Sequence, residues 1–110
     1  MLINYDRDKY LSEFSHKTLQ DRYLVNGENS PQDAFARAAK AFSDDDAHAQ
    51  RLYDYASKLW FMFSTPVLSN GGTTRGLPIS CFLNYVEDSR QGITGHYTEN
   101  AFLSSVGGGV

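Results

Sequence analysis

Apolar side chains fall at helical spacing over the first part of the chain and alternate like a strand further on. Over residues 1–29, Tyr10, Leu11 and Phe14, then Leu19, Tyr23 and Leu24, recur at short helical intervals among polar neighbours. That predicts one or two short helices before a turn at Asn26-Gly27. Ser30-Pro31-Gln32-Asp33 is a helix start. The serine hydroxyl can accept from free amides, proline suits the first turn, and an acid there complements the helix dipole. Phe35, Ala38, Ala39 and Phe42 continue at helical spacing, and Ser43-Asp44-Asp45-Asp46 closes that helix and caps the next. The second helix is predicted from about residue 47 to 63, with an apolar stripe of Leu52, Tyr55, Ala56, Leu59 and Phe63. Trp60, Phe61 and Met62 make its last turn apolar almost all round, which predicts an end buried against something large.

Ser64-Thr65-Pro66 changes the pattern, because helices usually end before a proline. Ser69-Asn70-Gly71-Gly72-Thr73-Thr74 then reads as a flexible polar loop. Leu77 to Val86 predicts a buried strand, with Ile79, Cys81, Leu83 and Tyr85 on one face and Ser80, Phe82, Asn84 and Val86 on the other. Glu87-Asp88-Ser89 ends it and caps a third, moderately amphipathic helix from about Arg90 to Ser105. Gly107-Gly108-Gly109-Val110 reads as a turn leading into something more. This order predicts a mainly α helical domain over 1–63, followed over 64–110 by the beginning of an α/β domain. One strand makes no sheet, so the last third is expected to need neighbours from elsewhere and, alone, to present a sticky edge.

Composition narrows the class. In 110 residues, 41% hydrophobic content with seven Tyr, seven Phe and one Trp can build one core, which argues against disorder. The net charge of −3 lacks the clustered Lys and Arg of a nucleic-acid or anionic-membrane footprint. No apolar run approaches the roughly 20 residues of a membrane helix. The start MLINYDRDKY carries charge where a signal peptide is apolar. One cysteine excludes an internal disulfide framework and zinc held by several thiolates. A cytoplasmic location is expected.

Candidate chemistry is sparse. The acidic run at 44–46 is expected to cap a helix rather than bind metal, and His16, His48 and His96 are expected to be solvated. Gly107-Gly108-Gly109 is either a turn or a place where backbone amides approach a phosphate. Thr65 and Ser80 are hydroxyls that bind either a ligand or local backbone. Cys81 is the sharpest candidate, although an apolar strand favours an inert buried thiol.

The residues Ser64-Thr65-Pro66-Val67-Leu68-Ser69-Asn70-Gly71-Gly72, then Leu77-Pro78-Ile79-Ser80-Cys81-Phe82-Leu83, then Gly107-Gly108-Gly109-Val110, resemble the large, catalytic subunit of ribonucleotide reductases. Leu19-Gln20-Asp21-Arg22-Tyr23-Leu24 and Gln32-Asp33-Ala34-Phe35-Ala36-Arg37 resemble the small helical domain before the barrel in that family, so the likeness covers essentially the whole chain. The resemblance implies the first strand and helix of a ten-stranded α/β barrel, and radical reduction of ribonucleoside di- or triphosphates to 2′-deoxyribonucleotides. By motif, Thr65, Ser80 and Gly109 match substrate contacts. Cys81 matches one member of the redox pair, and Asp88 and Ser89 fall where the family begins its deoxynucleotide effector site. The helix after them matches one that commonly packs at a homodimer interface.

The departures bear on activity. The partner cysteine, the thiyl-radical cysteine with its asparagine and glutamate, the relay cysteines, the substrate-phosphate loop and the ATP cone are not among these residues. The chain is therefore expected to be inactive alone and to need the remainder of the large subunit, in trans or by splicing. No cofactor is expected on this segment. The radical is expected from a metal-containing small subunit or from adenosylcobalamin. The competing reading is a non-catalytic helical docking module, or a truncated remnant, which would tolerate Cys81→Ser.

Overall fold

The computed structural model describes all 110 residues, Met1–Val110. A short 3-10 helix over Tyr5–Tyr10 is followed by α1 (Glu13–Arg22), α2 (Pro31–Ala41), α3 (Asp46–Ser57), α4 (Thr65–Asn70) and α5 (Arg90–Ser105). The local start signals act as expected. Ser30 and Asp33 form a reciprocal capping box at α2, Asp45 accepts from the His48 amide at 2.7 Å, and Gly27 turns the chain at φ +93°.

The core lies between α2 and α3. Ala34, Phe35, Ala38 and Ala39 of α2 pack with Tyr53 of α3, and Leu19 of α1 and Leu68 of α4 complete the cluster. Alanine on α2 lets its neighbours come close enough to bury Tyr53 and Phe35 fully. A polar network crosses this core. The Tyr53 hydroxyl donates to Gln32 Oε1 at 2.8 Å and accepts from the Asn4 amide at 2.9 Å, and Gln32 Nε2 donates to Asp8 at 2.9 Å. It joins the N-terminal turn to α2 and α3 with its buried polar atoms satisfied.

Three expectations need correction. The helix predicted to reach Phe63 ends at Ser57. Leu59 adopts φ 63°, its amide donates to the Ala56 carbonyl at 3.0 Å, and the Trp60 amide donates to the Tyr55 carbonyl at 2.9 Å. This is a Schellman cap with leucine where glycine is usual, and Trp60 stacks on Tyr55 at 5.1 Å between centroids. The buried face of α3 is Ala49, Tyr53, Ala56 and Ser57, while Trp60 and Met62 are exposed rather than buried.

Second, residues 65–70 are helical where a helix end and a loop were expected. Pro66 sits in the first turn, where its missing N–H costs nothing, so the residue expected to end one helix starts another instead. Burial of Leu68 in the core fixes the choice.

Third, residues 77–86 form no strand; their sole β-bridge is Cys81 with Gly109. The predicted alternation survives as exposure, with residues 79, 81, 83 and 85 outward and 80, 82 and 84 half-buried. The apolar Ile79, Leu83 and Tyr85 are on the outward side, contrary to a buried strand. A strand needs ladder partners, and one paired backbone position is too few. No residue after Gly71 is buried, and the molecule is elongated at 58 × 31 × 24 Å.

Candidate functional site

Cys81 and Gly109 pair in parallel. The Phe82 amide donates to the Gly109 carbonyl at 2.8 Å, and the Gly109 amide donates to the Ser80 carbonyl at 2.6 Å. The residues between them run out along 82–86, return through α5 and turn back at the glycines. Gly107 makes that turn at φ +85°, and the Gly108 amide donates to the Leu103 carbonyl at 2.8 Å. Gly108 permits the close return, because a Cβ there would lie 2.7 Å from the Phe82 ring and 3.0 Å from the Leu103 carbonyl oxygen. The glycine run is therefore a helix-ending turn that brings Gly109 beside Ser80.

Ser80, Cys81 and Gly109 thus gather at one place. Ser80 Oγ stands 3.8 Å from Cys81 Sγ, and the thiol is exposed, unlike the buried thiol that its apolar neighbours suggested. Thr65 makes a different contact. It opens α4, with Oγ1 3.0 Å from the Tyr23 hydroxyl, at a cleft of about 530 Å³ lined by Leu11, Phe14, Leu19, Met62 and Phe63. The end of α4 is tied to the Cys81 segment through Asn70, whose Nδ2 donates to the Leu77 carbonyl at 2.8 Å.

Ser89 caps α5, its Oγ accepting from the Gly92 amide at 2.9 Å, which leaves the hydroxyl proton free to donate. Asp88 beside it is exposed. Of the histidines, His16 stands 3.7 Å from Asp8 and His48 3.6 Å from Asp44, both half-exposed. His96 departs from the solvated expectation, because its Nδ1 is buried without a partner. No three His, Cys, Asp or Glu side chains converge on a metal-binding position, and no helix is long and apolar enough to cross a membrane.

Sequence reasoning missed Arg37. Its Nε donates to Glu28 at 3.0 Å, its Nη1 to the Gly71 carbonyl at 2.7 Å, and its Nη2 to the Tyr23 carbonyl at 3.2 Å. It holds the ends of α1 and α4 against α2, and so anchors Tyr23, whose hydroxyl meets Thr65. Its place in the Gln32–Arg37 motif was the available signal; nothing in local spacing marks it.

The family described as "Ribonucleotide reductase, all-alpha domain" matches residues 9–76. The ribonucleoside-diphosphate reductase large subunit of Invertebrate iridescent virus 6 is 43% identical over 110 residues, which is 100% of this chain and 12% of that protein. The large subunit of Invertebrate iridescent virus 3 is 42% identical over 98% of this chain and 17% of its own length. The alpha subunit from Helicobacter pylori (strain ATCC 700392 / 26695) is 32% identical over 98% of this chain and 15% of its own. The chain thus spans under one fifth of these relatives. With its helical body inside the matched stretch, the chain belongs to the ribonucleotide reductase large-subunit family, of which it is an N-terminal segment.

Proposed function

We propose that this chain is the N-terminal part of a ribonucleoside-diphosphate reductase large subunit, and that Cys81 is one of the two thiols that reduce the ribonucleotide. The observation that carries the reading is the gathering of exposed Cys81 with Ser80 and Gly109 at one backbone pair. In the reaction the ribose 2′ C–O bond breaks, the oxygen leaves as water, and a C–H bond replaces it. Two thiols lose two electrons and two hydrogens and become one disulfide, which balances the reduction. Cys81 is this chain's only cysteine, so the second thiol belongs to the remainder of the subunit. Ser80 and Thr65 hold the substrate through their hydroxyls. The Gly109 amide is engaged by Ser80, so Gly109 meets substrate through the second lone pair of its carbonyl.

Asp88 and Ser89 begin the deoxynucleotide effector site, with the free Ser89 proton as donor. The remaining barrel strands cover Ile79, Leu83 and Tyr85, and α5, with exposed Tyr97 and Phe102, packs in a homodimer. The radical comes from a metal-containing small subunit or from adenosylcobalamin.

The test is complementation with the remainder of the subunit and its radical source, assayed with a ribonucleoside diphosphate and a dithiol. Activity is expected only when both pieces are present, and Cys81→Ser should abolish dithiol turnover. Full turnover by Cys81→Ser would remove the redox role. Assembly without reduction would instead support a non-catalytic docking module.

A further inference from the structure

The segment that carries Ser80 and Cys81 has no sheet around it, so few ties set its position. At its start Asn70 holds the Leu77 carbonyl, and in its middle stands the pair with Gly109. At its far end Asn84 Nδ2 donates to Asn100 Oδ1 on α5 at 3.1 Å. Asn100 Nδ2 in turn lies 3.1 Å from His96 Nε2, one helical turn earlier. Gly92, His96, Asn100 and Leu103 are the half-buried residues of α5, so their stripe is the face that meets the segment.

We propose that Asn100, oriented by His96, is a positioning residue for the Cys81 segment, locking it against α5 and holding the pairing of residues 80–82 with Gly109 in register. An asparagine amide has two unlike ends. Asn84 donates to the oxygen, so the Asn100 nitrogen must find an acceptor. His96 Nε2 is that acceptor, which puts the ring proton of the neutral imidazole on Nδ1. The Nδ1 is buried and unpaired. An apolar side chain would fill the same face without an orphaned nitrogen, so histidine at this position is explained by what its other nitrogen does. Reversing the Asn100 amide would set its NH2 against that of Asn84 and release the end of the segment.

The effect on chemistry rests on the reductase reading above, whereas the positioning itself does not. The measurement is amide hydrogen exchange of Phe82 and Gly109 in the 110-residue chain, with the amides of Ala38 and Ala39 in α2 as the folding control. Asn100→Ala, which favours helix, should speed exchange at Phe82 and Gly109 by roughly tenfold, the equivalent of one lost hydrogen bond, and leave α2 unchanged. His96→Leu should do the same. His96→Gln keeps an acceptor and should restore protection. Equal exchange in the parent and Asn100→Ala, or no protection in the parent, would overturn the proposal. Equal behaviour of His96→Leu and His96→Gln would remove His96 from it. In the complemented enzyme, Asn100→Ala should lower kcat more than it raises KM; failure there alone, with the exchange result intact, tells against the reductase reading.

Discussion

Arg37 and Glu28 form a nearly buried ion pair, Nε to Oε2 at 3.0 Å, with each side chain 12% exposed. Around it, the guanidinium also reaches the Gly71 and Tyr23 carbonyls, while Glu28 accepts from the Val25 amide at 2.9 Å. Four parts of the helical body therefore meet at one planar group, a geometry that an ammonium cannot reproduce. Arg37→Ala strands the Glu28 carboxylate and should cost about 3 kcal/mol or more, a large share of a small domain's stability. Arg37→Lys should recover only part of it. Urea denaturation reads both variants, and a loss for Arg37→Ala within about 0.5 kcal/mol would show the pair to be dispensable.

The buried Tyr53 hydroxyl links α3 to Gln32 and Asn4. Burial pushes its pKa above the ordinary 10.0, and the hydrogen bond to Asp33 does the same for Tyr5. For both, the folded state favours the neutral phenol. Their contribution is fully present below pH 10 and lost as pH rises through the folded value. Thermal stability should therefore fall above about pH 10, and less steeply in Tyr53→Phe. At neutral pH that variant leaves Gln32 Oε1 without its donor and should cost roughly 1–3 kcal/mol. A pH profile unchanged by the substitution would contradict the assignment.

Leu59 holds a left-handed conformation that ordinarily suits glycine, at a cost of about 1–2 kcal/mol. The Tyr55–Trp60 stack and the two capping hydrogen bonds offset it. Leu59→Gly should keep the cap and be neutral or mildly stabilising. Trp60→Ala removes the stack and should lower the melting temperature of the helical body. Calorimetry of the two variants gives the comparison, and the reverse order would show that the leucine's own packing governs the cap.

The two glycines inside α5 should respond in opposite ways. A Cβ at Gly95 meets nothing within 4 Å, whereas one at Gly92 would lie 2.5 Å from the Glu87 carbonyl oxygen. Gly95→Ala should raise helix content and stabilise α5 by about 0.5–1 kcal/mol. Gly92→Ala should loosen the entry at Ser89 and weaken the protection of that turn. Circular dichroism and amide exchange report the pair; matching effects would refute the close approach.

Features whose causes lie within a few residues could be read along the chain. Ser30, Asp45 and Ser89 cap helices because a hydroxyl or carboxylate reaches an amide two or three positions away. The alternation over 79–85 was legible for the same reason, since successive side chains of an extended backbone point opposite ways. The motifs around Thr65, Ser80 and Cys81 also carried the family, which their order along the chain suffices to mark. Features that required a partner distant in sequence were settled by packing. Pro66 was compatible with either ending or starting a helix, and burial of Leu68 against α2 selected the start. Seventeen-odd residues of helix were expected through Phe63, yet stacking of Trp60 on Tyr55 stabilised an earlier stop than the apolar pattern implied. Arg37 gained its role because Tyr23, Glu28 and Gly71 converge on it in space. Ser80 and Gly109 met only because α5 and the close-fitting Gly108 returned the chain to them, a closure over 29 residues that no local preference encodes.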